Sequence, residues 1–136
     1  MASDEQSKQS EFPVRGLHVG VGRKGDIASW EKFIGEALPQ EGANLLVVEI
    51  NYGYAYESYP QVAGDGALAA EDVKRLVTAC RNAGVELVPQ INALGHQSWT
   101  GRSSGLLRAF PDFDERPDIP QDAGKEVLYC RSYCPL

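Results

Sequence analysis

Four polar side chains end two hydrophobic runs of the sequence. Glu49 and Asn51 close the run that begins at residue 44, and Gln90 and Asn92 close the run that begins at residue 85. A carboxylate accepts hydrogen bonds, whereas a carboxamide both donates and accepts them. Because an unpaired buried polar group costs about 1–3 kcal/mol, such a group of residues indicates either a hydrated, ligand-filled mouth or a network whose members satisfy one another.

Aromatic rings and a histidine follow the same two runs. Tyr52, Tyr54 and Tyr56 come after the first run, and His96 and Trp99 come after the second. Sugar rings present apolar C–H faces that stack on aromatic rings, while their hydroxyls bond to fixed polar groups. The combination favours a carbohydrate site, with packing beneath the loops as the alternative role of each tyrosine.

Other residues capable of chemistry are assigned structural roles. His18 lies inside a predicted strand, and we interpret it as a packed or hydrogen-bonded core residue without a chemical role. Trp30 lies on a helical apolar stripe and is assigned to the core. The neighbouring Asp114 and Glu115 are interpreted as a solvated loop pair rather than a catalytic dyad.

Charge and cysteine content limit the partners and the compartment. The net charge of -6 and the acidic composition argue against nucleic acid or an anionic membrane as a partner, and leave a neutral polar ligand such as a sugar. Cys80, Cys130 and Cys134 are an odd number of cysteines without an export signal, which favours free thiols in the cytoplasm. The pair at 130 and 134 lacks the second pair of a zinc site, so we expect neither a metal nor a cofactor.

The elements that position these residues alternate between strand and helix. Strands are predicted over residues 14–21, 44–51 and 85–92, and helices from Asp26 to Leu38 and from Ala69 or Ala70 to Ala83. This rhythm predicts right-handed βαβ units and a parallel sheet, hence an α/β fold. Residues 93–136 are predicted to be mainly loop with short helical pieces.

Alternation along the strands gives the polar residues a direction. In a barrel of parallel strands, alternate side chains face the axis, and ligand sites lie beyond the carboxyl ends of the strands. Glu49 and Asn51 then face inward late in the second strand, and Gln90 and Asn92 do so in the third. A complete (β/α)8 barrel needs about 250 residues and rarely fewer than about 200. If the sheet belongs to such a barrel, residues 13–136 form only the N-terminal portion of a TIM barrel, after a disordered leader predicted at 1–12.

Three motifs resemble the first βα units of family 20 glycoside hydrolases, the β-N-acetylhexosaminidases, and in particular their divergent intracellular branch. The resemblance covers residues 13–99. It is carried by the Arg-Gly at 15–16 with Arg23, by the Glu-Ile-Asn-Tyr run that begins at Glu49 and ends in Tyr56-Glu57, and by Pro-Gln-Ile-Asn-Ala-Leu-Gly-His at 89–96.

The resemblance implies roles for particular residues. Arg15 corresponds to an arginine that binds sugar hydroxyls, and His96 to a histidine that supports the catalytic carboxylates. Gln90 and Asn92 stand where the family has carboxylates, and Gly20 replaces an aspartate. Amides bond to sugars but cannot stabilise a developing cation as carboxylates do. The predicted substrate-binding residues are Arg15, Glu49, Asn51, Gln90, Asn92, His96 and Trp99.

The implied reaction is hydrolysis of terminal N-acetylhexosamine, with the substrate's own acetamido oxygen as nucleophile and an Asp-Glu pair after the fourth strand. We expect that pair to lie beyond Leu136, so that this chain is an inactive fragment with no catalytic residue of its own. Its unpaired sheet edge predicts association with the missing half of the barrel or with itself. The alternatives are a non-catalytic carbohydrate-binding or scaffold protein and an unrelated small α/β domain.

Overall fold

The structure, a computed structural model, describes residues 12–92, 97–99 and 102–119. A parallel sheet with strand order β1-β2-β3 is formed by β1 (Gly16–Gly20), β2 (Leu45–Glu49) and β3 (Glu86–Gln90). Helical segments connect the strands in sequence, so the predicted α/β fold with parallel strands is confirmed. The leader predicted at 1–12 lies outside the described residues, apart from Phe12.

The first connection is one continuous helical segment of three parts. It consists of α1 (Ile27–Lys32), a π-helical turn (Phe33–Ala37) and α2 (Leu38–Gln40). Asp26 precedes α1 as predicted, but its carboxylate accepts from the Arg23 N–H at 3.0 Å instead of capping α1. The chain leaves the helix at Gly42, whose φ of 67° suits a residue without a Cβ.

The second connection contains α3 (Ala70–Asn82), close to its predicted bounds. The Asp72 carboxylate accepts from the Ala69 N–H at 2.9 Å and so satisfies one of the free donors at the start of the helix. Leu76 and Cys80 are buried on the inner face. Gly84, with φ 68°, ends the helix in a left-handed conformation.

The core lies between the helices and one face of the sheet. Leu46 and Val48 of β2 are 0% and 3% exposed and belong to one cluster with Ile34, Leu76 and Cys80. The alternate residues of β2 are only partly buried. Burying Leu46 and Val48 against the helices therefore turns Glu49 to the other face, as alternation predicted. We call this second face the open face.

Short elements follow β3. Strands β4 (Ser98–Trp99) and β5 (Arg102–Ser103) pair antiparallel, and a short helix, α4 (Gly105–Ala109), comes next. Over residues 97–99 and 102–119 this agrees with the predicted loop containing short helical pieces, although the pairing of β4 with β5 was not predicted. Within the described ranges, no helix has the length and apolar character needed to cross a membrane.

The acidic pair after α4 differs from its predicted environment. Asp114 is 5% exposed, and its Oδ1 accepts from the Arg116 N–H at 2.9 Å. Glu115 is exposed. The prediction of a solvated pair is therefore wrong for Asp114, because its carboxylate satisfies a main-chain donor in the turn that it begins.

Candidate functional site

The strand register brings polar residues to the carboxyl edge of the sheet. Gly20, Glu49 and Gln90 are aligned across the three strands, and Asn51 and Asn92 follow the last two of them. Since parallel strands end at the same edge, the side chains of β2 and β3 meet there although they are far apart in sequence. We call His18, Glu49, Asn51, Gln90 and Asn92 the polar cluster.

The Glu49 carboxylate is the shared acceptor of this cluster. Its Oε1 accepts from Asn51 Nδ2 at 2.7 Å and from Asn92 Nδ2 at 2.8 Å. The other oxygen, Oε2, lies 4.0 Å from His18 Nε2, which exceeds hydrogen-bonding distance. One carboxylate oxygen is therefore committed to holding two amides, and the second remains able to accept from a ligand hydroxyl.

Asn51 joins the ends of β2 and β3. Its Oδ1 accepts from the main-chain N–H of Asn92 at 2.9 Å, while its Nδ2 donates to Glu49. Its φ is 42°, in the left-handed region that non-glycine residues seldom adopt, although asparagine tolerates it better than most. Hydrogen bonds to Glu49 and to Asn92 stabilise this unusual backbone conformation. A strained conformation persists only where the surrounding structure holds it in this way.

Gln90 and His18 extend the cluster across the open face. Gln90 Nε2 donates to Asn92 Oδ1 at 3.0 Å, and Gln90 Oε1 lies 2.5 Å from His18 Nε2. A carboxamide oxygen only accepts, so in this arrangement His18 carries a proton on Nε2. The hydrogen bonds then run in one direction, from His18 through Gln90 and Asn92 to Glu49.

His18 is the member of the cluster that sequence reasoning missed. It is hydrogen-bonded, as one alternative held, but its side chain is 53% exposed, so the assignment to the core is wrong. It lies in register with Val47 of β2 and therefore on the same face as Glu49. Alternation along β1 puts His18 on the same face as Gly16 and Gly20. Because glycines have no side chain, the sequence of β1 does not show which of its two faces is the apolar, buried one.

An aromatic cavity of about 850 Å³ adjoins the cluster and shares Asn51 and Asn92 with it. It lies between the loop after β2 and the segment containing α4. The rings that line it are Tyr52, Tyr54, Tyr56, Tyr59, Phe110 and Phe113. We call it the aromatic cavity; the expectation that aromatic side chains lie close to the polar residues is met for these tyrosines.

Gln97 connects the cavity wall to the cluster. It is 1% exposed, its Nε2 donates to the Asn92 carbonyl at 2.8 Å, and its Oε1 accepts from Tyr52 Oη at 2.6 Å and Ser104 Oγ at 2.8 Å. Sequence reasoning did not select Gln97, because its partners come from segments that only the tertiary fold brings together.

Tyr56 anchors the loop after β2. Its hydroxyl donates to the Asn51 carbonyl at 2.6 Å. The pKa of Tyr56 is raised, first by burial and then by the neighbouring Tyr54, whose ring meets it edge to face at 5.2 Å. The phenol therefore stays neutral and keeps its proton for this hydrogen bond, which stabilises the conformation of Asn51 from its carbonyl side.

Arg15 lies at the opposite edge of the sheet. It precedes β1, its Nε donates to the Gly42 carbonyl at 2.5 Å, and its Nη1 donates to the Phe12 carbonyl at 2.7 Å. The expectation that Arg15 shares a rim with the polar cluster is therefore wrong, because a residue before a parallel strand lies at its amino end. We leave Arg15 out of the candidate site.

The side chains of two further predicted site residues lie outside the described part of the chain. His96 lies outside the described residues. The backbone of Trp99 belongs to β4, but its side chain is likewise outside what the structure describes. Among the described residues, no three potential ligands from histidine, cysteine, aspartate and glutamate come together as a metal site requires.

Comparisons with known proteins bear on the fold. No family model matches the chain. Beta-hexosaminidase A of Caenorhabditis briggsae is 26% identical over 120 residues, which cover 80% of this chain and 22% of the relative. A solved structure of a family 20 glycoside hydrolase, a β-N-acetylglucosaminidase, is similar with a TM-score of 0.57 and 20% identity over 76% of this chain and 23% of its own.

These likenesses support the resemblance predicted from the sequence motifs. The structural match shows an α/β fold consistent with part of a TIM barrel, and argues against an unrelated small α/β domain. The chain spans less than a quarter of the length of either protein. The chain is thus similar in fold to this family of hydrolases and glycosidases. A shared fold does not by itself show a shared activity.

Proposed function

We propose that the polar cluster binds the terminal N-acetylhexosamine of a glycoside, as part of a glycosidase of the family 20 type. The observation that carries this proposal is the convergence of Glu49, Asn51, Gln90 and Asn92 at the carboxyl edge of the sheet, beside an aromatic cavity. In α/β folds of this kind, ligands bind at that edge. The match to a β-N-acetylglucosaminidase supplies the sugar class.

The cluster offers complementary chemistry to a sugar. Glu49 Oε2 is placed to accept from a hydroxyl, since Oε1 already accepts from two amides. His18 is half-exposed beside it and presents an imidazole edge. Tyr52 and Tyr56, whose hydroxyls bond beside the cluster to Gln97 and to the Asn51 carbonyl, provide apolar surface for the C–H face of the sugar ring. A neutral, polyhydroxylated ligand satisfies both surfaces.

Hydrolysis in this proposal requires groups beyond the cluster. A substrate-assisted retaining mechanism uses the acetamido oxygen as nucleophile and a carboxylic acid to protonate the leaving oxygen. The carboxylate within the polar cluster, Glu49, is engaged by two asparagines and acts as a binding group. We therefore assign this chain to sugar recognition and place the catalytic Asp-Glu pair outside the polar cluster; the predicted supporting role of His96 remains a proposal.

A second function is a carbohydrate-binding or scaffold protein without catalysis. Gln90 and Asn92 favour it, since the resemblance places carboxylates at these positions and both amides are committed to neighbours in the cluster. The two functions differ in turnover. A polypeptide that carries this sequence and an Asp-Glu pair after a fourth strand hydrolyses an aryl N-acetyl-β-glucosaminide if the first is correct, and binds it without turnover if the second is correct.

The binding claim shared by both functions is tested by calorimetric titration of the chain with methyl N-acetyl-β-glucosaminide. We expect saturable binding that Asn92→Ala weakens about tenfold or more, the scale of losing a hydrogen-bonded polar group. Asn82→Ala, an exposed asparagine at the end of α3, is the matched control and should leave the affinity unchanged. Failure of the wild-type chain to bind, or equal affinities for both variants, contradicts the proposal.

The remaining partner and compartment assignments are also proposals. Within the described part of the chain, β1 and β3 are the edges of the sheet, and Val88 on its open face is 36% exposed. Covering this surface calls for further βα units or a second copy of the chain. A reducing compartment such as the cytoplasm suits the free, buried thiol of Cys80.

A further inference from the structure

The surface of the aromatic cavity differs in kind from that of the polar cluster beside it. Two of its tyrosines direct their hydroxyls into the protein, Tyr52 to Gln97 and Tyr56 to the Asn51 carbonyl. What these residues offer a ligand is ring surface. A sugar hydroxyl placed against such a wall loses its hydrogen bonds to water without replacement, which is unfavourable, whereas an apolar group gains by leaving water.

The far wall of the cavity is an aromatic stack that remains in contact with solvent. Phe110 meets Tyr59 edge to face at 6.1 Å and stacks on Phe113 at 5.3 Å. Tyr59 is 58% exposed, Phe113 44% and Ile91 53%. These apolar residues surround one cavity, and a grouped patch of this kind marks an interaction site more often than scattered exposure does.

The charge of the lining residues limits which ligands the aromatic cavity can bind. Among the described residues that line the cavity, Glu57 carries the single charge. A carboxylate in a largely apolar cavity repels phosphate, sulfate and carboxylate groups, while neutral groups are tolerated. The occupant therefore carries no negative charge at the end that enters the cavity, and the aromatic lining favours an apolar group there.

The size of the aromatic cavity and the residues that it shares with the polar cluster indicate that one ligand can contact both. A cavity of about 850 Å³ lies within the usual range for small-molecule pockets and has room beyond a single sugar ring. Asn51 and Asn92 belong to both the cavity and the polar cluster. One ligand that places its polar end on the cluster extends its other end along the aromatic rings.

We propose that the aromatic cavity binds an apolar aglycone, an aryl or alkyl group attached to the sugar that the polar cluster holds. This inference rests on the proposed function, since it takes the polar end of the ligand to be the sugar. The protein is then selective for glycosides whose aglycone is hydrophobic over glycosides whose aglycone is a second sugar. Tyr59, Phe110 and Phe113 determine this selectivity.

The test compares methyl and phenyl N-acetyl-β-glucosaminide by calorimetric titration of the full chain. We expect the phenyl glycoside to bind about tenfold more tightly, the gain from removing one ring face from water. In Tyr59→Ser and in Phe113→Ser the preference should fall to within about twofold, with the methyl glycoside bound as before. Both side chains are substantially exposed, so the variants should fold, and circular dichroism verifies this.

Val14→Ser is the matched control, because Val14 is 63% exposed and precedes β1 at the other edge of the sheet. It should retain the full preference for the phenyl glycoside. Equal affinities for the two glycosides, or a preference that survives both cavity variants, overturns the aglycone proposal while leaving sugar binding intact. Binding of neither glycoside overturns the proposed function and the aglycone proposal with it.

Discussion

Asn92 Nδ2 donates to Glu49 Oε1 at 2.8 Å, although the two residues are 43 positions apart in the chain. The bond connects the ends of β2 and β3 on the open face of the sheet. A second amide, that of Asn51, donates to the same oxygen at 2.7 Å. The carboxylate therefore organises the candidate site, and each prediction below follows from a contact in or beside it.

Replacing Glu49 by leucine should destabilise the protein. The change leaves the Nδ2 groups of Asn51 and Asn92 without their acceptor, and an unsatisfied donor costs about 1–3 kcal/mol when fully buried. Since the site is only partly buried, we expect a loss of about 1 kcal/mol in the free energy of unfolding. Urea denaturation measures it, and Glu41→Leu is the exposed control. Equal stability of the two variants would show that the network contributes nothing.

The left-handed conformation of Asn51 makes a distinct prediction. Asn51→Gly and Asn51→Ala both lose the side-chain bonds to Glu49 and Asn92, but only alanine adds the Cβ strain of a φ of 42°. The glycine variant should therefore be more stable by about 1 kcal/mol. Chemical denaturation of both variants compares them directly, and an alanine variant as stable as the glycine variant contradicts the assigned backbone conformation.

The direction of hydrogen bonding fixes the tautomer of His18. Gln90 donates to Asn92 and accepts from His18, so the neutral imidazole should carry its proton on Nε2. Nitrogen-15 chemical shifts of the ring, recorded at alkaline pH, distinguish the two tautomers. Gln90→Ala should reduce this preference by removing the acceptor. A dominant Nδ1–H form in the wild-type protein rules out the proposed chain of bonds.

Cys80 should respond to pH and to unfolding in a defined direction. Burial raises the pKa of its thiol, because the thiolate is disfavoured in an apolar environment. The resulting stability is fully present below the thiol pKa of the unfolded chain, about 8.5, and is lost as pH rises above that value. In a Cys130→Ser, Cys134→Ser double variant, Cys80 should react slowly with a disulfide reagent until urea is added. Rapid reaction of the folded protein contradicts its burial.

Much of the fold follows from local pattern. The aliphatic run around β2 and the amphipathic run of α3 have lengths and spacings that allow few other structures, and both form close to their predicted bounds. Alternation along β2 also oriented Glu49 correctly, because Leu46 and Val48 must both reach the core. Placing Gln90 and Asn92 next to Glu49 then required only that the strands be parallel.

The remainder depended on contacts that no local pattern encodes. Gln97 is buried by partners from the loop after β2 and from the segment before α4, so its role appears only in the folded chain. Arg15 was assigned to the rim by resemblance alone, and its position before β1 places it at the other edge. His18 lies in a strand with little apolar contrast, and only the register with β2 shows which face it occupies.

Sugar binding by the polar cluster is tested most directly by a nuclear magnetic resonance titration of the side-chain amides with methyl N-acetyl-β-glucosaminide. We expect saturable shifts of the NH₂ resonances of Asn51, Gln90 and Asn92, because these amides belong to the polar cluster that we propose as the sugar site. Shifts confined to the edge of the sheet around Arg15, or no shifts at saturating sugar, would contradict it.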